Sequence, residues 1–245
     1  NNEKKTMNSI LHKANTRGYA NHGWLVTNHS FSFANYYNPE RVHFGALRVL
    51  NDDKIAPGRG FGTHPHDNME IITIPLKGDL KHRDNMGNGT VIKNGDIQVM
   101  SAGTGITHSE FNANEDLDVE LLQIWLFPNR KNVEPRYDQI KLSSVSKTNE
   151  FYQILSPNKN DDGVWIHQQA WFYLGEFNEN KSLKHKVNIH GNGLYFFIIE
   201  GEAEINNQNL MKRDGYGIWN VNEIEINVKS NSKILIMDIP MQILT

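Results

Sequence analysis

The apolar positions of this chain fall in short runs. Ile71–Leu76, Ile97–Met100, Leu121–Phe127, Leu194–Ile199 and Lys233–Ile239 are rich in β-branched and aromatic residues, with glycine and asparagine punctuating the chain between them. Runs of this length bounded by turn residues are the pattern of strands in a sandwich or barrel. No stretch sustains an apolar period of 3.6. Only Glu150–Leu155 reads as a turn of helix. The predicted fold class is all-β and mostly antiparallel.

The rhythm breaks at Pro128–Ser146, a polar stretch containing Pro128 and Pro135. On either side the pattern repeats weakly. Ile71–Leu76 matches Tyr195–Ile199, Gly78 recurs as Gly201 and Gly95 as Gly215, at offsets of 123 and 120 residues. Self-similarity of this kind predicts a duplicated β-barrel. The expected division is an N-terminal barrel at 1–135, a linker at 136–146 and a C-terminal barrel at 147–245.

Two tripeptides carry candidate chemistry: His64-Pro65-His66 and His108-Ser109-Glu110. Side chains at i and i+2 of a strand leave the same face, roughly 6.5–7 Å apart. Two neighbouring strands bearing such pairs can converge three imidazoles and a carboxylate on one point, a donor set suited to a first-row divalent metal. Proline between the first two histidines cannot donate to a ladder, so this segment belongs at an edge or a bulge. Gly103-Thr104-Gly105 forms a tight turn that aims His108 and Glu110 inward. It is not a dinucleotide motif, because His108 stands where a third glycine is needed and no helix follows. Glu70 is open between a further ligand, an acceptor that orients a ligand, and a solvated residue. The remaining histidines lack comparable spacing.

The repeat places Val187 and Ile189 opposite His64 and His66, and Val228 and Ser230 opposite His108 and Glu110. The C-terminal barrel is therefore expected to lack metal ligands. The aromatics between Trp24 and Phe44 are read mainly as packing, with one or two left to line an apolar pocket for a flat substrate.

Composition narrows the classes. With 25 basic against 28 acidic residues the net charge is −3, so no direct nucleic-acid binding is expected. No run approaches a membrane span, and Asn1–Thr6 lacks the apolar stretch of a secretory signal, with Met7 a candidate start. The chain has no cysteine. That excludes disulfides and thiolate sites and fits a cytoplasmic location.

Phe61-Gly62-Thr63-His64-Pro65-His66 with Glu70 resembles the first cupin motif, and Gly95-Asp96 followed by Ala102–Glu110 resembles the second. The wording resembles the pirin family of bicupins, particularly bacterial pirin-like proteins with quercetin 2,3-dioxygenase activity. Gly23-Trp24-Leu25, Phe31-Ser32-Phe33, Leu47–Asp53 and Gln123-Ile124-Trp125 agree with it. The likeness is strong from about Ala14 to Tyr137. It implies two antiparallel β-barrels packed face to face, with one divalent metal in the first barrel on His64, His66, His108 and Glu110. Fe(II) is the first choice. Copper, nickel, cobalt, manganese and zinc stay open within such a donor set. The implied reaction is oxygen-dependent ring cleavage of a flavonol with release of carbon monoxide, Glu110 serving as general base. The implied partners are a polyphenol and dioxygen. The family also contains iron-dependent regulators, so a non-catalytic metal-binding protein with a protein partner is the alternative.

Overall fold

The computed structural model describes residues 6–244, so residues 1–5 of the expected N-terminal extension lie outside it. Among the described residues there is no α-helix, only two 3-10 turns at Ala14–Thr16 and Leu142–Ser144. Among the described residues no helix is long and apolar enough to cross a membrane.

Each half of the chain builds one seven-stranded and one four-stranded sheet. The four-stranded sheet of the first half runs in the order Gly60–His66, Ile106–Asn112, Leu80–Asp84, Gly89–Ile92; its counterpart is Lys181–Lys186, Glu223–Val228, Glu202–Ile205, Gln208–Met211. All pairings are antiparallel except the short contact of Phe151–Ser156 with Val164–Trp165. The inner strands of the two seven-stranded sheets and both four-stranded sheets follow the same order, as the internal repeat predicts, and the barrels differ at the edges of the larger sheets.

The seven-stranded sheets pack against each other. Leu50, Ile72, Ile124 and Val99 of the first half meet Ile154, Phe172, Phe197 and Met237 of the second in one buried cluster. The opposite faces of the sheets line the two barrel interiors, and these differ. The second interior is filled by Phe196, Ile236, Tyr216, Ile226 and their neighbours. In the first, a polar row crosses the sheet rung by rung: His29 opposite Asn51, Asn51 opposite Gln123, Gln123 opposite Thr73, Thr73 opposite Gln98. The matching row of the second barrel reads Gln153, Tyr173, Ile236, Phe196, Tyr216. Polar groups cost free energy inside a barrel unless something satisfies them. The first interior is therefore built around more than packing.

Three segments differ from the sequence reading. Phe151–Ser156 is a strand paired with Trp171–Phe177, where a helical turn was expected around Glu150–Leu155. Cross-strand pairing outweighs the local pattern there. Arg136–Lys141, within the expected linker 136–146, pairs with Asp96–Ser101 at the edge of the first barrel. Its half-exposed residues suit an edge. Conversely, Asn8–His12 pairs with Gly215–Trp219 and completes the second barrel. Asp52 fastens the crossing, its carboxylate oxygens accepting from Arg17 and from Arg213 at 2.8 Å each.

Candidate metal centre

Two adjacent strands bring the histidines together. Ile106–Asn112 pairs with the edge strand Gly60–His66, and His108 lies directly opposite His64. The register then slips, so that Glu110 faces Phe61. The irregularity falls at Gly62-Thr63, and the Gly62 carbonyl accepts Nδ1–H of His64 at 2.7 Å. That hydrogen bond leaves the lone pair of His64 on Nε2. On the other strand the turn at Gly103 sets the direction of His108. Gly103 has φ +51°, and a Cβ there would collide with the Val133 carbonyl, so no other residue fits.

The outcome is a compact triad. Ligand atoms of His64, His66 and His108 all lie within 4.8 Å of one another. The Nε2 atoms of His66 and His108 are 3.0 Å apart. Two metal–nitrogen bonds of about 2.1 Å meeting at a right angle span about 3.0 Å between donors, so the spacing fits one edge of an octahedral site. Burial is the first cause that lowers His66 to about 4 and His108 to about 3, and the neighbouring imidazoles add to it. Both rings are therefore neutral near pH 7, the state a metal ligand requires. Three convergent imidazoles, His108 buried and His64 and His66 half-buried, fit a divalent cation.

Glu110 stands beside this triad, outside its 4.8 Å cluster. Its Oε1 lies 3.4 Å from Nδ1 of His108, at an angle that makes no hydrogen bond and leaves that buried nitrogen unpartnered. Both carboxylate oxygens accept from Gln123 Nε2 at 3.0 Å. Burial raises the Glu110 carboxyl to about 7; the Gln123 hydrogen bond opposes the shift and Asp53 reinforces it.

Behind His108 sits a pair that spacing did not single out. His82 lies opposite Glu110 and Asp84 opposite His108 on the next strand. His82 Nε2 donates to Asp84 Oδ2 at 2.7 Å, and Asp84 also accepts from the amides of Met86 and Asn88. The His82 ring is 5.5 Å from that of His108 and 4.7 Å from that of Tyr137. Glu70, left open by the sequence, is neither solvated nor part of the triad. It accepts from Ser101 Oγ and from the His167 amide of the other barrel.

In front of the triad a cavity of about 670 Å³ opens, with His64 in its wall. Trp24, Phe33, Tyr36, Phe61 and Trp125 supply flat apolar surfaces, and Asn51, Asp53 and Gln123 the polar ones. Its size and lining are those of a small-molecule site. Of the aromatics between Trp24 and Phe44, Trp24, Phe33 and Tyr36 face this cavity, whereas Phe31 and Phe44 are packed between the barrels.

The comparisons bear on the whole chain. The Pirin family model matches residues 11–126, and a model described as the quercetinase C-terminal cupin domain matches 153–239. A protein of Escherichia coli K12 named quercetin 2,3-dioxygenase is 41% identical over 230 residues, 94% of this chain and 98% of that one. The chain belongs to the pirin family. A pirin-like protein of Caulobacter vibrioides is 36% identical over 222 residues, 90% of this chain and 95% of its own. Among solved structures, the bacterial pirin YhhW of Escherichia coli in complex with nickel(II) superposes with a TM-score of 0.90 at 40% identity, covering 95% of this chain and 99% of that one. Fold and family agree in making this pirin a bicupin of two antiparallel barrels.

Proposed function

We propose that this pirin is a metal-dependent dioxygenase that opens the oxygen-bearing ring of a flavonol such as quercetin and releases one carbon as carbon monoxide. The observation that carries the reading is the juxtaposition of three convergent imidazoles with an aromatic cavity of about 670 Å³ that has one of them in its wall. The names of the relatives point the same way. His64, His66 and His108 would hold the ion and Glu110 would supply an oxygen donor beside them, with iron as the first choice of metal. When bound, such an ion supplies Lewis acidity toward the substrate hydroxyl and a redox partner for dioxygen.

The remaining work falls to the chain. The aromatic walls hold the planar substrate with its 3-hydroxyl toward His64 and exclude water from the reacting ring. Glu110 accepts the 3-hydroxyl proton, a role suited to a carboxyl held near 7. Gln123 keeps that carboxylate oriented through both of its oxygens. The hydrogen bond from His64 to Gly62 fixes the ring that faces the substrate.

The test is purified, metal-loaded protein with quercetin and oxygen, with carbon monoxide measured. Oxygen-dependent release well above a His108→Ala control is expected. Release no greater than in that control would overturn the reading.

A further inference from the structure

Apart from the residues around the triad, the buried polar lining of the cavity consists of two cross-strand pairs on neighbouring rungs, Thr27 opposite Asp53 and His29 opposite Asn51, while the polar His22 and Asn35 lie exposed at its edge. All four side chains are buried, Asp53 with 4% of its surface exposed. Within each pair one hydrogen bond is made. Thr27 Oγ1 donates to Asp53 Oδ1 at 2.5 Å, and His29 Nδ1 donates to Asn51 Oδ1 at 2.7 Å. The partners of these atoms are thereby spent. Asp53 Oδ2, Asn51 Nδ2 and His29 Nε2 carry no protein hydrogen bond among the described residues, and the side chains that bear them line the cavity. The result is an acceptor, a donor and a second acceptor set into an aromatic chamber.

The barrel does not need these groups to close. In the second barrel the equivalent strands pair in the same register over these two rungs, where Phe151–Gly175 and Gln153–Tyr173 stand. Gly175 stands in the place of Asp53, with the rings of Phe151 and Phe177 packed over it. Where no cavity has to be served, that position is filled with hydrocarbon. The free atoms of this carboxyl and carboxamide keep access to the chamber, and a ligand that fills it without supplying hydroxyl groups leaves them unpaired.

Given a flavonol-binding cavity as proposed above, we infer that Asp53 and Asn51, braced by Thr27 and His29, form a hydroxyl-reading subsite that selects polyhydroxylated aromatic substrates over bare ones. A phenol hydroxyl both donates and accepts, which is what Asp53 Oδ2 and Asn51 Nδ2 require. A hydroxyl-free ring enters the same chamber and leaves both groups dehydrated and unpaired. Sites built to bind a hydroxyl reject the analogue that lacks it for this reason.

The test is binding to metal-loaded protein, followed by quenching of tryptophan fluorescence, with quercetin and 3-hydroxyflavone as the two probes. They share the 3-hydroxyl and 4-carbonyl and differ in the ring hydroxyls. Wild-type protein is expected to prefer quercetin by about tenfold or more, the worth of one buried hydrogen bond. Asp53→Leu is expected to erase most of that preference by weakening quercetin and not 3-hydroxyflavone. Asp53→Asn, nearly isosteric, is expected to fall between the two and covers the case in which the leucine variant does not fold. Equal affinity of the wild type for both probes, or an unchanged ratio in the variants, overturns the subsite and leaves the proposed activity standing. Failure of both probes to bind overturns both.

Discussion

Gln123 Nε2 lies 3.0 Å from each carboxylate oxygen of Glu110, and Gln123 is itself part of the cavity wall. The amide that orients the buried carboxylate thus also forms part of the chamber wall. Hydrogen bonds to a carboxylate favour its charged form, and burial opposes it. Glu110 is held near 7 by the balance of the two. In Gln123→Leu the carboxylate loses its donor and holds its proton more tightly. The acid limb of kcat/KM is expected to move up by about one pH unit, the worth of one charge-assisted hydrogen bond. Asp53→Asn removes a like charge and moves the same limb down. A pH–rate profile unmoved by either variant would show that Glu110 is not the proton acceptor.

Gly60 sets how closely the two histidine strands approach. A Cβ built there collides with the backbone of Glu110 and Phe111 on the neighbouring strand. Gly60→Ala therefore pushes the edge strand away and separates His64 and His66 from His108. Metal affinity, read by calorimetric titration, is expected to weaken by about tenfold to a hundredfold, as when support of a ligand is lost. Gly89→Ala is the control, since a Cβ at Gly89 meets nothing within 4 Å. Equal affinities in the two variants would contradict this role for Gly60.

The junction of the barrels titrates. His12, on the strand that crosses to the second barrel, is 5% exposed and hydrogen-bonds Tyr195 Oη through Nδ1 at 2.9 Å. Burial first, and the charge of Arg41 second, lower it from 6.5 to about 4. Because its folded pKa lies below its unfolded one, the unfolded chain binds more protons between those values. The stability gained from keeping the ring neutral is complete above about pH 6.5 and is lost as the pH falls toward 4. Between pH 7.5 and 4.5 the loss from this residue is about 2 kcal/mol. Urea unfolding at the two pH values measures it. His12→Gln is expected to lose correspondingly less stability than the wild type, and an identical loss would exclude His12 as the titrating group.

Much of the centre was legible because its determinants are local. His64 and His66, like His108 and Glu110, advertise a shared face through i, i+2 spacing, and Pro65 marks the edge strand that the bulge occupies. In the second half the positions that the repeat matches to the candidate ligands are Val187, Ile189, Val228 and Ser230, and that barrel's interior is filled with apolar side chains. What escaped is set by register between strands distant in sequence. Asn51, Asp53 and Gln123 become a site only because their strands lie side by side, and His82 only because it falls opposite Glu110. A signal existed: Asn51 and Asp53 are polar at alternate positions of a strand whose other residues include Val49, Leu50 and Ile55. Neither exchange of edge strands, Asn8–His12 into the second barrel and Arg136–Lys141 into the first, has a local signature, since an edge strand buries too little apolar surface to show a strong pattern.

The account stands on the triad as a metal site, and the metal content of the chain tests that directly. After equilibration with a divalent metal and removal of the unbound ion, elemental analysis should find close to one equivalent per wild-type chain and almost none in His66→Ala or His108→Ala. Undiminished metal in those variants, or none in the wild type, would contradict it.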